Sequence, residues 1–441
     1  MRAIQKNLAN SFFAILSLPA TAMGFALSVQ ISALSWILST KYHLAIHDIG
    51  LVWAAGPIAG IFGQVIIGKI SDNVWFWNGR RRPFIIIGGL LASMMLLALP
   101  NIDVITAALG IKAILGVAIV IVLSLDIAIN VGFNPTRAII ADVTPEGNDR
   151  TRGFTWMQSV SGTISVGAYA IGAIFDNIVL IYVGAVLVLL FTLFPPLLVE
   201  EPKNIGVTEQ NSNAKPSSGS LKDILMSIQP LWGILIYDIY AMGLRLLGIQ
   251  HEHYYAEMVC GLLTVMLVIK ALTAREHGLE PDAAAGVGFR KVLAAHSFSW
   301  IGIHTTFVFM FIYIQAVMTA LDGTQAGRVT TLAFLILNAV AAVLPVLVLG
   351  PVAKVIGRVK THAGSLAIMT FGYIGLLVFG TTPTAIYMLM AIVGIGWASM
   401  VSLPFAIMSQ KVDQAQMGLY MGLFNLSVVL PQLIVSLGVS L

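Results

Sequence analysis

The sequence predicts an all-α polytopic membrane protein, and three observations carry that prediction. Hydrophobic residues make up 58% of the 441 positions and charged residues only 10%, against about 45–50% and about 25% in soluble domains. A soluble surface needs charge, whereas a lipid-facing surface is penalised for it. Apolar runs such as 84–99 and 178–198 reach or approach the roughly 20 residues that cross a hydrocarbon core of about 30 Å. Lys and Arg also gather on alternate connections: Arg80-Arg81-Arg82, Arg150/Arg152, Lys203/Lys215/Lys222 and Lys354/Arg358/Lys360. Such loops face the cytoplasm.

Taken in order, Arg2 and Lys6 precede an apolar stretch from 11 to 38. That stretch is too long for the core of a cleaved signal, so it stays as the first helix, with a cytoplasmic N-terminus. Breakers then mark spans at 11–39, 49–71, 83–100, 109–140, 152–174 and 178–199. A polar stretch, 200–220, contains the run NSNAKPSSGS and has the composition of a flexible linker. Five further spans follow at 290–318, 327–353, 360–380, 384–409 and 414–439. Between linker and second half lies 224–272, apolar but interrupted by His251-Glu252-His253. Arg275, Arg290 and Lys291 call for the cytoplasm, so this insert crosses twice, as a helical hairpin, or lies on the membrane surface. The expected organisation is a six-helix bundle (1–200), a linker with inserted hairpin (201–288) and a bundle of five clear helices (289–441). A sixth helix of the second bundle is absent, truncated or replaced by the insert.

Composition also excludes function classes. A single cysteine, Cys260, rules out an internal disulfide and a Cys-based metal cluster. The net charge of +4 fits cytoplasmic loops and gives no reason to invoke nucleic acid. No nucleophile–base pair, HExxH, phosphate loop or GxGxxG stands in a fitting context, so no enzyme and no metal site is expected. His251-Glu252-His253 reads as a wet loop.

Polar residues stranded in apolar helices are the informative ones. Asp126 lies in VIVLSLDIAINVGFNPTRAII. A charged carboxylate at bilayer depth costs several kcal/mol, so it should face a cavity and exchange a proton. The competing reading is a structural carboxylate paired with another helix. Arg137 follows by three turns plus about 20°, on the same face and about 16 Å away, and Asn130 lies one turn after Asp126 on that side. A carboxylate, an amide and a guanidinium offer the donors and acceptors that hold a polyhydroxyl solute. Arg137 also admits a role as an arginine snorkelling to the interface. Gln30, Gln158, Gln315 and Asn425 are further candidates for substrate binding. His304, Asn338 and Gln432 are weaker, since such residues more often join helices. On the cytoplasmic side, Gly68-Lys69-Ile70-Ser71-Asp72 precedes GRRRPF at 79–84. Asp72 with Arg80, Arg81 and Arg82 can form a clasp that breaks on opening.

The segment 350–358 repeats the glycine, charge and Gly-Arg pattern of 68–82 on the corresponding loop of the second half. A parallel repeat of this kind resembles the arrangement of major facilitator transporters. Gly56-Pro57, Gly68-x-x-x-Asp72 and GRRRPF resemble plant sucrose–proton symporters and their animal relatives, the proton-associated sugar transporters. So do LDIAINVGFNPTRAIIADV, Trp397-Ala398-Ser399, Leu403-Pro404-Phe405-Ala406 and GLFNLSVVLPQLI. The resemblance implies proton coupling for Asp126 and a substrate-linked role for Arg137. Two departures stand out. After Trp300 the plant proteins carry an acidic and basic cluster, where FVFMFIYIQAVM has only Gln315, and His47 is one residue out of register with their loop histidine. The insert 224–272 is foreign to the pattern.

The expected function is therefore secondary active transport by alternating access: proton-coupled symport of a sugar, a disaccharide or related glycoside. An exporter or uniporter of another small solute, and a sugar receptor that moves nothing, remain alternatives on the same fold. The expected setting is a cell (inner or cytoplasmic) membrane, as a multi-pass monomer with a small-molecule sugar and the bilayer as partners. No cofactor is expected, the coupling ion being a proton.

Overall fold

The computed structural model describes residues 8–60, 74–111, 113–145, 148–202, 221–247, 254–408, 411 and 417–438. These residues are helical nearly throughout, with no strand among them beyond one isolated bridge between Phe76 and Gly79. In a bilayer only helices and closed barrels satisfy every backbone group, and nine described helices are long and apolar enough to cross one.

The first helices are α1 (Asn10–Thr40) and α2 (Ile46–Trp53), with 55–60 helical again. They are followed by α3 (Arg82–Ala98), a 3-10 turn (Leu99–Asn101), α4 (Ile102–Leu109), α5 (Ile114–Val143), α6 (Asn148–Ile174) and α7 (Asn177–Leu198). The third crossing thus runs to residue 109, beyond the expected 100, and the fourth starts at 114 instead of 109. The physical reason is Gly110, which takes φ 67 and ends α4, its N–H returning to the last turn. A residue without a Cβ adopts that left-handed cap at no cost. Pro100 lies within the 3-10 turn, and Tyr42 pins it: its hydroxyl donates to the Leu99 carbonyl (2.8 Å) and accepts from Ile102 N–H (3.0 Å). Burial pushes the Tyr42 phenol up to about 12.

The insert forms α8 (Leu221–Ser227), a 3-10 turn (Gln229–Leu231), α9 (Trp232–Leu247) and α10 (Tyr255–Thr273). His251-Glu252-His253 lies outside the described residues. The remaining helices are α11 (Pro281–Val317), α12 (Gly323–Leu344), a π-helical turn (Pro345–Leu349), α13 (Gly350–Ile356), α14 (Arg358–Phe379), α15 (Pro383–Met408) and α16 (Met417–Leu437). Where 327–353 reads as one span, the helix is widened at Pro345, whose missing N–H breaks the i→i−4 ladder.

Two compact units result. The first comprises Met1–Gly206, Val308–Ile336 and Thr381–Pro383. In it α1 packs on α6 and α7, and α3 packs on α5 and α7. Residues 308–336 join this unit through a polar seam. Ser32 Oγ meets Thr331 Oγ1 (2.8 Å) and Asn177 Oδ1 (3.2 Å), Ser35 donates to Val308 O (2.7 Å), and Trp36 Nε1 donates to Gly323 O (2.8 Å). Among helices in lipid the hydrophobic effect gives no net attraction, so such bonds and close packing hold them together. Hydropathy does not foresee this seam, because its members look like ordinary small polar residues of a span.

The second unit comprises Val207–Phe307, Leu337–Gly380 and Thr384–Leu441. Here α9 packs on α10 and α16. Ile228, Leu231 and Ile234 share a buried cluster with Phe289 and Leu293 of α11, Met408 of α15 and Phe424 and Leu430 of α16. Val268 and Ala271 of α10 pack on Ala294 of α11. The hairpin helices are therefore part of this unit's core. Asp238 sits on the packed face of α9, 4% exposed, and neither carboxylate oxygen has a hydrogen-bond partner among the described residues.

Candidate functional site

The sequence-marked carboxylate lies inside the first unit. Helix α5 runs unbroken through Pro135 and carries Asp126, Asn130 and Arg137 along its length. Asp126 is 5% exposed and Gln30 of α1 is 2% exposed. Gln30 Nε2 donates to Asp126 Oδ2 at 3.1 Å. Gly56 closes the third side: a methyl built on it would lie 3.4 Å from Oδ2 and 3.5 Å from Oδ1. Among the described residues no ion pair to Asp126 is found. Asn130 Nδ2 donates to the Asp126 backbone carbonyl at 2.8 Å, so that amide braces its own helix turn.

The other candidates are placed apart. Arg137 is exposed, its guanidinium 5.0 Å from the Phe133 ring centroid. This is a cation–π contact, three turns from Asp126. Gln158 is exposed on α6. Gln315 accepts from Ser39 Oγ at 3.5 Å in the polar seam. Asn425 is half-buried on α16, in the second unit. The structure thus brings together Gln30, Asp126 and Asn130, and does not bring Arg137, Gln158 or Gln315 into contact with them.

Asp72 lies outside the described residues. Arg80, Arg81 and Arg82 are described, and their anchors are two acids that the sequence does not flag. Arg80 Nη2 and Arg81 Nε each lie 3.1 Å from Asp142 Oδ2. The backbone N–H groups of Arg80, Arg81 and Arg82 converge on the Glu201 carboxylate at 2.8, 2.8 and 2.7 Å. Arg82 Nη2 also donates to the Val199 carbonyl. Glu201 thereby caps the N-terminus of α3, where the helix dipole and unpaired N–H groups favour an anion. The only hint in the sequence was the position of Glu200-Glu201 directly after a span.

In the second unit a group of aromatic and polar side chains connects five helices, α11, α12, α14, α15 and α16. Trp300 Nε1 donates to His296 Nε2 at 3.0 Å, and His296 Nδ1 meets Ser427 Oγ at 2.7 Å. His296 stacks on Phe424 at 4.5 Å between centroids, and Trp300 meets Trp397 at 5.7 Å and 86°. Trp397 Nε1 donates to Asn338 Oδ1 at 3.3 Å. His362 Nδ1 meets Ser399 Oγ at 2.7 Å. The sequence marks Trp397 only within the motif 397–399 and Trp300 only as a landmark, and it does not single out His296 or His362, since both residue types are common packing residues in helices. The signal available was the position of Trp300 and Trp397, far from the helix ends where tryptophan collects at membrane interfaces.

Comparison with known proteins agrees with this architecture. The family model described as Major Facilitator Superfamily matches residues 16–436. Sucrose transport protein SUC4 of Arabidopsis thaliana is 37% identical over 108 residues, which is 23% of this chain and only 21% of that protein's length. Sucrose transport protein SUT2 of Oryza sativa subsp. indica is 25% identical over 435 residues, covering 88% of this chain and 78% of the relative. Among solved structures, that of the peptide transporter POT in complex with sulfate superposes with a TM-score of 0.63 at 16% identity, over 96% of this chain and 87% of that one. At that identity the likeness speaks for the fold alone. With a family model matched along almost its whole length, and transporters rather than enzymes as relatives, the chain belongs to the Major Facilitator Superfamily.

Proposed function

We propose that this transporter moves a sugar by alternating access in symport with protons, and that Asp126 is the proton site. One observation carries the reading: a buried carboxylate at mid-helix whose polar side-chain partner is a neutral amide, with no cation paired to it among the described residues. A structural carboxylate would be expected beside a Lys or Arg, because an unpaired buried charge is costly. A carboxylate that loads and unloads a proton needs a partner for both states. Gln30 suits that need. Its Nε2 donates to the ionised group, and its Oε1, which has no partner among the described residues, can accept from the protonated one after a half-turn of the amide. Arg137, three turns along α5 and exposed, is the cation available to a solute on that face. The sucrose transport proteins among the relatives support a sugar as that solute.

The test is uptake of labelled mono- and disaccharides by proteoliposomes with and without an inward proton gradient. Gradient-driven accumulation is expected for wild type. Asp126→Asn should abolish accumulation while leaving exchange of labelled for unlabelled sugar. Accumulation by the Asn variant at the wild-type level and pH dependence would sink the assignment.

A further inference from the structure

Helix α9 buries a carboxylate on its packed face. Ile234, Tyr237, Asp238 and Ala241 are all buried, at the i, i+3, i+4, i+7 spacing of one helix face. Ile236 and Ile239, on the other side, are exposed. The face with Asp238 therefore belongs to the contact that α9 makes with α10 and α16. Neither Asp238 oxygen has a hydrogen-bond partner among the described residues, and no ion pair to it is found there. Asp126 has Gln30 beside it; Asp238 has no such amide.

The elements around it define what the group can do. The titratable residues of α10 are Tyr255, Glu257, Cys260 and Lys270, that of α16 is Tyr420, and α9 itself carries Tyr237, Tyr240 and Arg245. The buried cluster that Ile234 shares with α11 and α15 adds only apolar residues, Phe289, Leu293 and Met408. An ionised carboxylate buried without a partner costs several kcal/mol, whereas the neutral acid carries no charge to solvate. Both neighbouring helices press on α9. A methyl on Gly438 would lie 2.7 Å from Tyr237 Oη, and one on Gly233 would lie 2.7 Å from Thr264 N. A cavity of about 290 Å³ lies alongside, with Ile234, Tyr237, Glu257 and Cys260 in its wall, but Asp238 does not line it. The cavity thus reaches the residue just before Asp238 and the one a turn earlier. Water there meets the carboxyl only when α9 shifts.

We propose that Asp238 is a second proton site, apart from Asp126, and that its proton keeps α9 docked on α16. The neutral acid packs against the apolar face. On release, the proton passes to water in the cavity, and the carboxylate left behind draws α9 away from α16 to be hydrated. The site needs neither sugar nor gradient, so it stands or falls independently of the transport reading.

The experiment labels purified wild-type protein with dicyclohexylcarbodiimide and maps the adduct by mass spectrometry, which separates Asp238 from Asp126 by peptide. In the labelling step the acid proton moves to a carbodiimide nitrogen and the carboxyl oxygen bonds to the central carbon, so only a protonated carboxyl reacts. Asp238 should be labelled at pH 6 and about tenfold less at pH 9. The thermal midpoint gives a second readout that needs no access for a reagent. Asp238→Asn stays neutral at every pH, and its midpoint should match wild type at pH 6 and exceed it by about 2 °C or more at pH 9. The sign follows from linkage: a folded state that binds the extra proton loses stability as pH rises. Asp238→Leu, neutral and apolar, should show the same flat profile and serves if the asparagine variant does not fold. Midpoints of wild type and variant that run parallel from pH 6 to 9 would overturn the docking role. Parallel midpoints with equal labelling at both pH values, or with none at either, would overturn the proton site as well.

Discussion

Gln30 Nε2 lies 3.1 Å from Asp126 Oδ2, a buried hydrogen bond joining α1 to α5 across 96 residues of sequence. Hydrogen bonds to a charged partner contribute about 1.5–3 kcal/mol, so Gln30→Leu should reduce uptake by on the order of tenfold. Membrane expression should stay normal, because leucine fills the same space. Uptake within twofold of wild type would detach Gln30 from transport.

Arg137 separates two roles by geometry. A guanidinium forks to two acceptors, whereas lysine keeps only the charge. If Arg137 holds a solute, Arg137→Lys should weaken binding and uptake substantially at matched expression. Near-normal values for both would reduce it to a residue that reaches the interface on a long stem.

Glu201 accepts three successive backbone N–H bonds at the start of α3. Loss of such a cap costs about 1–2 kcal/mol. Glu201→Ala should lower the thermal midpoint of purified protein more than Glu201→Gln, which keeps an acceptor. An unchanged midpoint for the alanine variant would show the cap to be dispensable.

Glu276, in the connection between α10 and α11, bridges Lys411 (2.7 Å) and Lys291 (3.2 Å). The Lys411 hydrogen bond leads the effects that hold its carboxyl below the ordinary value of 4.5. A depressed carboxylate contributes stability that is fully present above the unfolded value and is lost as pH falls through the folded one. The thermal midpoint of wild type should exceed that of Glu276→Gln at pH 6–7, and the difference should shrink as pH falls below the ordinary value of 4.5. Equal midpoints for wild type and Glu276→Gln at pH 6–7 would show that the bridge does not act on stability.

At Gly233 the backbones of α9 and α10 pack closely. A methyl there would come within 2.7 Å of Thr264 N and 2.8 Å of Cys260 O, whereas at Gly243 and Gly261 it would meet nothing within 4 Å. Overpacking costs about 1–3 kcal/mol, and backbone cannot step aside as a side chain can. Gly233→Val should lower the thermal midpoint or abolish folding, with Gly243→Ala and Gly261→Ala silent. Three equal midpoints would mean that the hairpin is not packed as described.

What could be read from the chain follows from what each residue costs. Asp126 and Gln30 announce themselves because polar groups in an apolar run need a reason to be there. Their pairing does not, since nothing local ties residue 30 to residue 126. The arginines at 80–82 were legible as a charged turn, but Asp142 and Glu201 became their anchors only through packing of α3 against α5 and α7. The expected partner, Asp72, lies outside the described residues. Trp397 was legible as part of the motif 397–399 and Trp300 as a landmark on its helix, but not their contact, because hydropathy sums over a side chain whose chemistry resides in ring orientation. The grouping of 308–336 with the first unit depends on hydroxyls such as Ser32 and Thr331, which are too common in spans to stand out.

The contact between α9 and α16 bears on how the protein is made. The first of these helices ends at 247 and the second begins at 417, so 169 residues separate partners that share one core. At about 5–20 residues per second of synthesis, α9 waits roughly 10–35 s with the face bearing Ile234, Tyr237 and Asp238 uncovered. Two of these side chains are content in lipid and the carboxylate is not. A nascent chain in this state offers membrane insertion and quality-control machinery a specific handle, and Asp238→Leu should shorten its residence there.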